Sequence, residues 1–416
     1  MVWTCETLGD ICREGGGRIQ TGPFGSQLHE SDYSMEGIPV VMPADIMDGK
    51  VSTTRIVRVS ENHVERLKRH KLNKGDIVYG RRGDIGRQAL VKDENAGWLC
   101  GTGCLKISLG AGPLTYEFLH RYLSTSAVIG WIEGQAIGAT MPNLNTGILE
   151  RVPVFYPRDQ VVQKKIAAIL SAYDELIENN QRRITLLEKM AEEIYREWFV
   201  RMRFPGHEKV RFIKAVPEGW RSSCLGNVAK FTMGQSPSSE FYNEVGDGLP
   251  FHQGVGTYGD RFPRTVTYCS EDGRRAQKGD ILFSVRAPVG RLNIADREMI
   301  IGRGLAAVRH KKEHNSYMYY LLKAAFKDED IIGNGSIFNS VGKDELAKFP
   351  IFEPEPNLVE KFDTLSAKMD EQIMMLMQAT ECLKSSRDLL LPRLISGKLS
   401  VEHLDIQFPP GMEDHP

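Results

Sequence analysis

Polar loops in both halves of the chain contain the residues best suited to bind a ligand. The loops also carry Gly and Pro, which shape turns. The residues of these loops with amide or hydroxyl side chains are Gln20, Thr21, Ser26, Gln27, Gln235, Ser236, Ser238 and Gln253. A Gln amide can form two hydrogen bonds with the edge of adenine, and hydroxyl groups mostly bind phosphate. The loops therefore suit a nucleic acid, although each one alone is equally compatible with an ordinary turn.

Arginine is the second residue type that could read bases, because its guanidinium can form two hydrogen bonds with guanine O6 and N7. Segments 74–87 and 278–291 are identical at seven of fourteen positions and read as matched hairpin-like stretches. We expect these arginines to face DNA: Arg81, Arg82, Arg87, Arg286, Arg291 and Arg303. The Lys-Gly-Asp triplets that open both segments, at 74–76 and 278–280, are predicted to be structural turns.

The distribution of charge supports a polyanionic ligand more strongly than the net charge does. The formal net charge is −1, but residues 50–92 contain twelve Lys or Arg against four Asp or Glu. Residues 260–312 contain twelve against six. A single basic run is usually a solvated face. Two basic runs at equivalent places favour the binding of a polyanion.

Sequence patterns typical of catalysis are missing from the chain. It contains no GxxxxGK[ST] loop for nucleotide phosphates, no HExxH zinc motif and no Ser or Cys nucleophile motif. Cys100 and Cys104 form one close pair without a second pair, which favours buried thiols over zinc ligands. We therefore expect a non-catalytic protein that binds no metal and no cofactor itself.

The elements that must position these loops come in two copies. Leu8-Gly9-Asp10 recurs as Leu225-Gly226-Asn227, and a long helical pattern near residue 174 recurs near residue 370. The first helical pattern has no Gly or Pro between Arg158 and Phe204. Apolar residues recur along it at alternating steps of three and four, which predicts a heptad seam. Asn180 interrupts this seam, either as a partly exposed position or as a polar residue that sets the register.

The two heptad seams are expected to pack against each other in antiparallel orientation, which would place two globular domains at opposite ends of a spacer. The predicted packing residues are Ile166, Leu170, Tyr173, Ile177, Ile184, Leu187, Ile194, Met369, Ile373, Leu376, Leu383 and Leu390.

These patterns predict an α+β fold with a pseudo-two-fold internal repeat, in which two β-rich mixed domains are separated by two long antiparallel helices forming a coiled coil. The predicted segments are a β-rich domain at 1–155, a helix at 156–203, a linker at 204–219, a second β-rich domain at 220–352, a second helix at 353–404 and a tail at 405–416. A short helix is expected at 115–124. With seven cysteines, an odd number without paired spacing, and no long apolar run, we expect a soluble, cytoplasmic protein.

The chain resembles the specificity subunits of type I restriction–modification systems. Three stretches carry much of the resemblance, namely Thr21-Gly22-Pro23-Phe24-Gly25-Ser26, Gly234-Gln235-Ser236-Pro237 and Leu391-Pro392-Arg393-Leu394-Ile395-Ser396-Gly397. The resemblance implies that each β-rich domain is a target-recognition domain for one half of a bipartite DNA site. It also implies that the helices set the spacing of the half-sites.

The resemblance further implies partners that spacing alone cannot supply. Two modification subunits, which are methyltransferases, would dock on the helices, and restriction subunits with motor and nuclease activity would join them. S-adenosylmethionine, ATP and Mg²⁺ would bind to those partner subunits. The alternative from another functional class is a coiled-coil scaffold whose two β-rich modules bind proteins or glycans.

Overall fold

The computed structural model describes residues 2–81, 86–135, 144–326, 331–332, 336–337, 340–409 and 412. The chain divides into two compact units. Unit 1 comprises Met1–Asn179 and Thr380–Pro416, and unit 2 comprises Asn180–Ala379. Each unit thus combines one β-rich region with part of both long helices. The boundaries between the two units lie within the long helices, at 179/180 and 379/380. The segment boundaries predicted from the sequence lie instead at the helix ends.

A four-stranded antiparallel sheet, here called sheet A, lies at the centre of unit 1. Its strands, in spatial order, are Gly16–Thr21, Cys104–Gly110, Ile77–Gly80 and Gln88–Leu90. Successive side chains of a strand point to opposite sides of the sheet, so the strand Cys104–Gly110 contributes to a core on each face of sheet A. Leu105, Ile107 and Leu109 enter the main core of unit 1, whereas Cys104 joins a smaller core on the other face.

Smaller β-structures flank sheet A. Ile38–Val41 pairs antiparallel with Arg58–Val59 and parallel with Leu99–Cys100. Near the chain start, Trp3–Thr7 pairs with Pro153–Pro157, and Ile46–Met47 pairs with Lys50–Val51. The short helices of unit 1 are Leu8–Glu14, Glu61–Arg66, Tyr116–Leu123, Ser126–Gln135 and Thr146–Glu150. The helix expected at 115–124 is confirmed, and the Thr115 side chain caps it by accepting a hydrogen bond from the Phe118 amide.

Unit 2 repeats this strand order. Sheet B consists of Ala229–Met233, Leu305–His310, Ile281–Ser284 and Leu292–Ile294 in spatial order. The parallel pair recurs as Leu249–His252 with Met299–Ile301. Other strands are Tyr242–Asn243, Tyr268–Cys269, Arg275–Ala276, and the pair Arg221–Cys224 with Pro350–Glu353. Phe212–Ile213 pairs with Val216–Pro217, and Ile331–Ile332 pairs with Ser336–Ile337. Short helices are Leu225–Val228, Asn315–Ala325 and Lys343–Ala347.

Individual hydrogen bonds confirm the internal repeat. The Gly75 amide donates to Val91 O at 2.9 Å, and the Gly279 amide donates to Ala295 O at 2.8 Å. Both glycines have positive φ, +86° and +85°, as the predicted turns require. Asp76 and Asp280 each accept a backbone amide at 2.8 Å in these turns. The Lys-Gly-Asp triplets are therefore structural turns, as the sequence indicated.

Two long helices complete the fold. The first runs over Gln160–Tyr195 and continues as a wider π-helical turn over Arg196–Val200. Asp159 accepts the Val161 amide at its start at 2.8 Å. The second runs over Pro356–Ile395, beginning with a proline, which suits a first helical position, and followed by Gly397 at φ +71°. The fold is thus α+β with two β-rich regions and two long helices.

The helices run antiparallel in each unit. In unit 1, Arg387 Nη1 donates to Asp174 Oδ1 at 2.7 Å, and Lys165 Nζ donates to O of Glu402, which follows the end of the second helix, at 2.9 Å. Position numbers therefore rise along one helix as they fall along the other. In unit 2, the ring of Phe362 lies 5.6 Å from that of Tyr195, and Arg261 pairs with both Glu188 and Asp370, so the numbers again run in opposite directions.

The predicted packing positions are all buried or half-buried. Ile166, Leu170, Ile177, Ile373 and Leu376 are buried. The half-buried positions are Tyr173, Ile184, Leu187, Ile194, Met369, Leu383 and Leu390, and Asn180 is half-buried as well. Ile166 and Leu170 belong to the core of unit 1 together with Leu394 and Ile395 of the second helix.

Candidate nucleic-acid interface

In unit 1, several of the predicted ligand-binding residues lie at one end of sheet A. Thr21 is the last residue of its strand, and the next amide, that of Gly22, donates to Cys104 O at 2.9 Å. At the same end, the Arg81 amide donates to Gly103 O at 2.8 Å, and Arg87 O accepts the Gly80 amide at 2.8 Å. Thr21, Arg81 and Arg87 are therefore brought together although they are distant in sequence.

At this end of sheet A, and at the matching end of sheet B, a glycine is required because a neighbouring backbone oxygen leaves no room for a side chain. A Cβ added at Gly22 would lie 2.0 Å from Gly101 O, and a Cβ added at Gly234 would lie 2.1 Å from Gly302 O. No side chain can occupy such a distance from a backbone oxygen. Gly22 and Gly234 therefore mark equivalent points, where each polar loop leaves its sheet.

The two glutamines of the first loop meet two arginines that the sequence analysis did not single out. Gln20 Nε2 donates to Arg69 O, and Arg69 Nη2 donates to Gln27 Oε1 at 3.4 Å. Arg66 Nη2 donates to Gln27 O at 2.9 Å. Gln20, Gln27, Arg66 and Arg69 are called the Gln–Arg cluster below. The signal that could have found both arginines is the basic stretch over residues 50–92.

A buried histidine orients the cluster. His70 Nε2 lies 2.8 Å from Arg69 Nε, which donates to it. Burial, together with the positive charge of Arg69, lowers the pKa of His70 to about 4. The imidazole is consequently neutral at pH 7 and can accept this hydrogen bond, which leaves the outer end of the Arg69 guanidinium for its contact with Gln27.

The other candidate residues of unit 1 differ in their exposure and in their hydrogen bonds within the protein. Arg81 is half-buried and its Nε donates to Leu144 O at 3.1 Å, so part of its guanidinium serves a backbone contact. Ser26 and Arg87 are exposed, and so is Phe24, which lies two residues before Ser26 and is 54% exposed. Arg82 lies outside the described residues.

In unit 2, three predicted residues from separate parts of the sequence form one cluster. Ser236 Oγ donates to Gln253 Oε1 at 2.9 Å, and the Arg303 amide donates to Ser236 Oγ at 3.3 Å. Gln253 and Arg303 have exposed side chains. Ser236, Gln253 and Arg303 are called the Ser–Gln–Arg cluster below. Gln235 is adjacent and exposed, and its amide donates to Ile301 O at 3.0 Å.

Arg286 and Arg291 lie at this same end of sheet B. The residue before Arg286, Val285, donates its amide to Gly304 O at 2.9 Å. Arg291 O accepts the Ser284 amide at 2.9 Å, which matches the Gly80 and Arg87 contact of unit 1. Both arginine side chains are exposed. Ser238 instead donates to Glu240 Oε1 at 2.9 Å, a local contact beside a carboxylate.

The basic patch of unit 2 is smaller than the count of charges indicated. Arg275, Arg297 and Arg309 form ion pairs with neighbouring carboxylates at distances between 2.5 and 3.0 Å. Arg261 is buried, with a side chain only 1% exposed. Arg286, Arg291 and Arg303 have exposed side chains at the end of sheet B, and the exposed Arg274 lies nearby, its backbone O accepting the Ile301 amide at 2.8 Å.

The described residues contain no group of three or more His, Cys, Asp or Glu that could hold a metal ion. Cys100 and Cys104 are buried thiols, and Cys104 Sγ donates to Val41 O at 3.4 Å. Burial raises the pKa of Cys100 to about 12, so it is protonated at neutral pH. Within the described part of the chain, no helix is long and apolar enough to cross a membrane.

Comparison with known proteins gives a consistent result over nearly the whole chain. The family model described as "Type I restriction modification DNA specificity domain" matches twice, over residues 3–189 and 217–373. The putative type I restriction enzyme MjaX specificity subunit of Methanocaldococcus jannaschii is 29% identical over 380 residues, covering 88% of each chain. The MjaIX specificity subunit of the same organism is 25% identical over 421 residues, covering 97% of this chain and 94% of the relative.

A solved structure shows the same fold. The crystal structure of a type I restriction–modification system S subunit from M. genitalium superposes with a TM-score of 0.63. It is 18% identical, with coverage of 95% of this chain and 96% of that chain. At this identity the likeness concerns the architecture alone, and the residues of the two clusters have to be argued from their own geometry.

Proposed function

The chain belongs to the type I restriction–modification DNA specificity family, and we propose that its two β-rich regions read the two halves of a bipartite DNA site through the ends of sheets A and B. It is a non-catalytic specificity subunit of a restriction–modification complex. The alternative of a scaffold with protein- or glycan-binding modules has no support from the family match.

One observation carries the assignment of the reading surface. In both units, the same end of the same four-stranded sheet gathers exposed arginines with amide and hydroxyl side chains. The composition differs, since unit 1 has the Gln–Arg cluster and unit 2 has the Ser–Gln–Arg cluster. Equivalent places with unequal side chains are what two different half-sites require.

The chemistry of the clusters suits both positioning and reading. Exposed guanidinium groups attract phosphates and can also form two hydrogen bonds with guanine, while Gln amides match adenine. Each two-pronged base contact contributes ~1–3 kcal/mol of discrimination. A few such contacts in each half-site are enough for selective binding.

We further propose that the long helices dock two modification subunits, and that restriction subunits join this assembly. S-adenosylmethionine, ATP and Mg²⁺ would then bind to those partners, with none bound by this chain. Because such a complex acts on cellular DNA, we expect it in the cytoplasm.

The proposed reading surface can be tested by substitution in the complex with the modification subunit. We expect Arg69→Ala and Arg303→Ala each to weaken binding to the complex's selected duplex by ~1–3 kcal/mol, the usual loss for an arginine that contacts a base. Arg13→Ala is a matched control, because Arg13 is an exposed arginine near the opposite end of the strand Gly16–Thr21. Competition binding on enriched duplexes measures all three.

Salt dependence separates DNA binding from the alternative. Binding that weakens steeply as salt rises supports phosphate contacts, because bound cations are released from DNA. Failure of the wild-type complex to select any duplex, or equal losses for Arg13→Ala and Arg303→Ala, would contradict the proposed surface.

A further inference from the structure

Two aspartates at equivalent positions of the long helices each meet an arginine from the β-rich region of their own unit. Asp174 lies on the first helix and Asp370 on the second, 196 positions later. Asp174 pairs with Arg121 of the helix Tyr116–Leu123. Asp370 pairs with Arg261, which belongs to a loop of unit 2. The two copies of the repeat thus use the same acidic position with arginines from different elements.

The arginine of the junction in unit 2 is almost completely buried. The Arg261 side chain is 1% exposed, and it pairs with Asp370 of the second helix and with Glu188 of the first helix at 3.4 Å. Its guanidinium also lies 4.6 Å from the ring centre of Tyr319. Ser316 Oγ donates to the other oxygen of Asp370 at 2.5 Å. One arginine therefore connects its β-rich region to both helices at a single point.

The junction in unit 1 has the opposite arrangement of charge. Asp174 accepts hydrogen bonds from Arg121 of the β-rich region and from Arg387 of the second helix, the latter at 2.7 Å. Arg121 also donates to Ser171 Oγ at 3.2 Å. Here one carboxylate receives two arginines, whereas in unit 2 one arginine receives two carboxylates. Both junctions nevertheless join the same three parts, namely a β-rich region and the two helices.

Such junctions are better suited to fixing an orientation than to general stabilisation. Burying charged groups costs desolvation energy, and apolar residues of similar volume often stabilise a fold as well or better. What a guanidinium–carboxylate contact adds is directional geometry, because the planar fork accepts partners at defined positions. In unit 1, burial alone would raise the pKa of Asp174, but Arg121 and Arg387 hold it below its ordinary value.

We propose that the Arg121–Asp174–Arg387 and Glu188–Arg261–Asp370 junctions fix the angle at which each recognition region sits on its helices and thereby restrict the gap accepted between the half-sites. The proposal rests on the function proposed above, since a gap exists only if two half-sites are read. Each base pair added to the gap moves one half-site ~3.4 Å along the DNA axis. A recognition region that can rotate on its helices can follow this displacement and keep its base contacts. A region held at a fixed angle cannot, so it accepts fewer gap lengths.

Selection from a library of random duplexes tests this, because the complex itself reports which bases it binds. The complex with the modification subunit selects duplexes, and sequencing gives both half-site motifs and the distribution of gap lengths. We expect Arg261→Lys to keep both motifs, because the base-reading clusters are untouched. The preference for the wild-type gap over gaps one base pair longer or shorter should fall by about tenfold, equivalent to ~1.4 kcal/mol.

A matched control exists in the same unit. Lys323 pairs with Glu192 of the first helix at 3.1 Å, but both side chains are 36% exposed and the contact reaches one helix. We expect Lys323→Met to leave motifs and gap lengths unchanged. Arg261→Lys retains the positive charge but lacks the planar fork that reaches two carboxylates. Its comparison with the wild-type protein therefore isolates the geometry of the guanidinium contacts.

Arg121→Lys in unit 1 provides a second variant should Arg261→Lys fail to fold. Its matched control is Lys50→Met, since Lys50 pairs with Glu178 at a site where both side chains are 45% exposed. A folded junction variant that selects both motifs with the wild-type gap distribution would overturn the inference. So would a uniform loss of affinity at every gap length. A wild-type complex that selects no two-part motif would instead overturn the proposed function.

Discussion

Hydrogen bonds within the protein differ among the polar residues that we propose contact DNA. Gln253 and Arg303 are exposed and held in place by Ser236, whose hydroxyl donates to the Gln253 side chain and accepts from the Arg303 amide. Ser238 Oγ donates to the neighbouring Glu240, and Arg81 uses its Nε for a backbone carbonyl. Sequence patterns predicted residue types that suit DNA, but the choice among them depends on neighbours that are far away in the chain.

Buried histidines next to the proposed reading surfaces make the free energy of unfolding depend on pH. His252 precedes Gln253, is fully buried, and its Nδ1 lies 2.8 Å from Thr257 Oγ1. Burial, with a contribution from Arg297, lowers the pKa of His252 to about 4, and Asp296 opposes this shift. In the unfolded chain, histidine titrates near its ordinary pKa of 6.5. The unfolded state therefore binds the proton first as pH falls.

We predict that unit 2 loses stability as the pH falls from about 6.5 towards 4, since the folded pKa of His252 is depressed. One histidine contributes at most ~1.4 kcal/mol per pH unit. In His252→Gln, the slope of unfolding free energy against pH should be smaller by up to this amount. Urea unfolding at several pH values measures both slopes. Identical slopes in the two proteins would contradict a neutral, buried His252.

At the scale of elements, the long helices were the most predictable part of the fold. Their apolar positions repeat every three or four residues, so the pattern survives whatever the rest of the chain does. The structure places the helices at Gln160–Tyr195 and Pro356–Ile395 and runs them antiparallel within each unit. The sequence did not reveal that helix ends enter the cores of the β-rich regions, as Phe362 does in unit 2.

A buried seam position and an exposed neighbour on the second helix allow a matched comparison. Ile373 is fully buried, whereas Met375 is 63% exposed. Ile373→Ala should destabilise unit 2 by ~2–5 kcal/mol, because it removes buried methyl groups and leaves a cavity. Met375→Ala should change the unfolding free energy by less than ~0.5 kcal/mol. Denaturant unfolding of both variants measures this difference, and equal midpoints would show that the seam does not stabilise the fold.

At the scale of the whole molecule, the repeat duplicates the architecture but not the residues of the proposed reading surface. Sheets A and B share one strand order, and the bonds between Gly80 and Arg87 and between Ser284 and Arg291 match closely. The residues at the sheet ends nevertheless differ. Strand order depends on patterns of burial, whereas the loops beyond the strands are free to carry different side chains.

Independent reading by the two regions can be tested by exchange. Replacing residues 1–155 with the equivalent region of another family member should change one half-site motif and leave the other unchanged. The donor region should carry an arginine that can reach Asp174, as Arg121 does, so that the junction with the helices is kept. Motif selection with the hybrid complex gives the result. A change in both motifs would mean that the regions do not read separately.

The sequence alone determined the α+β class, the internal repeat, the antiparallel long helices and the kinds of side chain that could bind DNA. These features follow from local periodicity, turn chemistry and composition, which each stretch of chain carries by itself. Tertiary structure alone decided that Arg69 meets Gln27 and that Arg261 is buried between two helices. Arg261 contacts residues 73 and 109 positions away, and no local pattern records a contact over such separations. Arg261 is buried because two carboxylates from the long helices surround it, whereas Arg303 remains exposed at the surface.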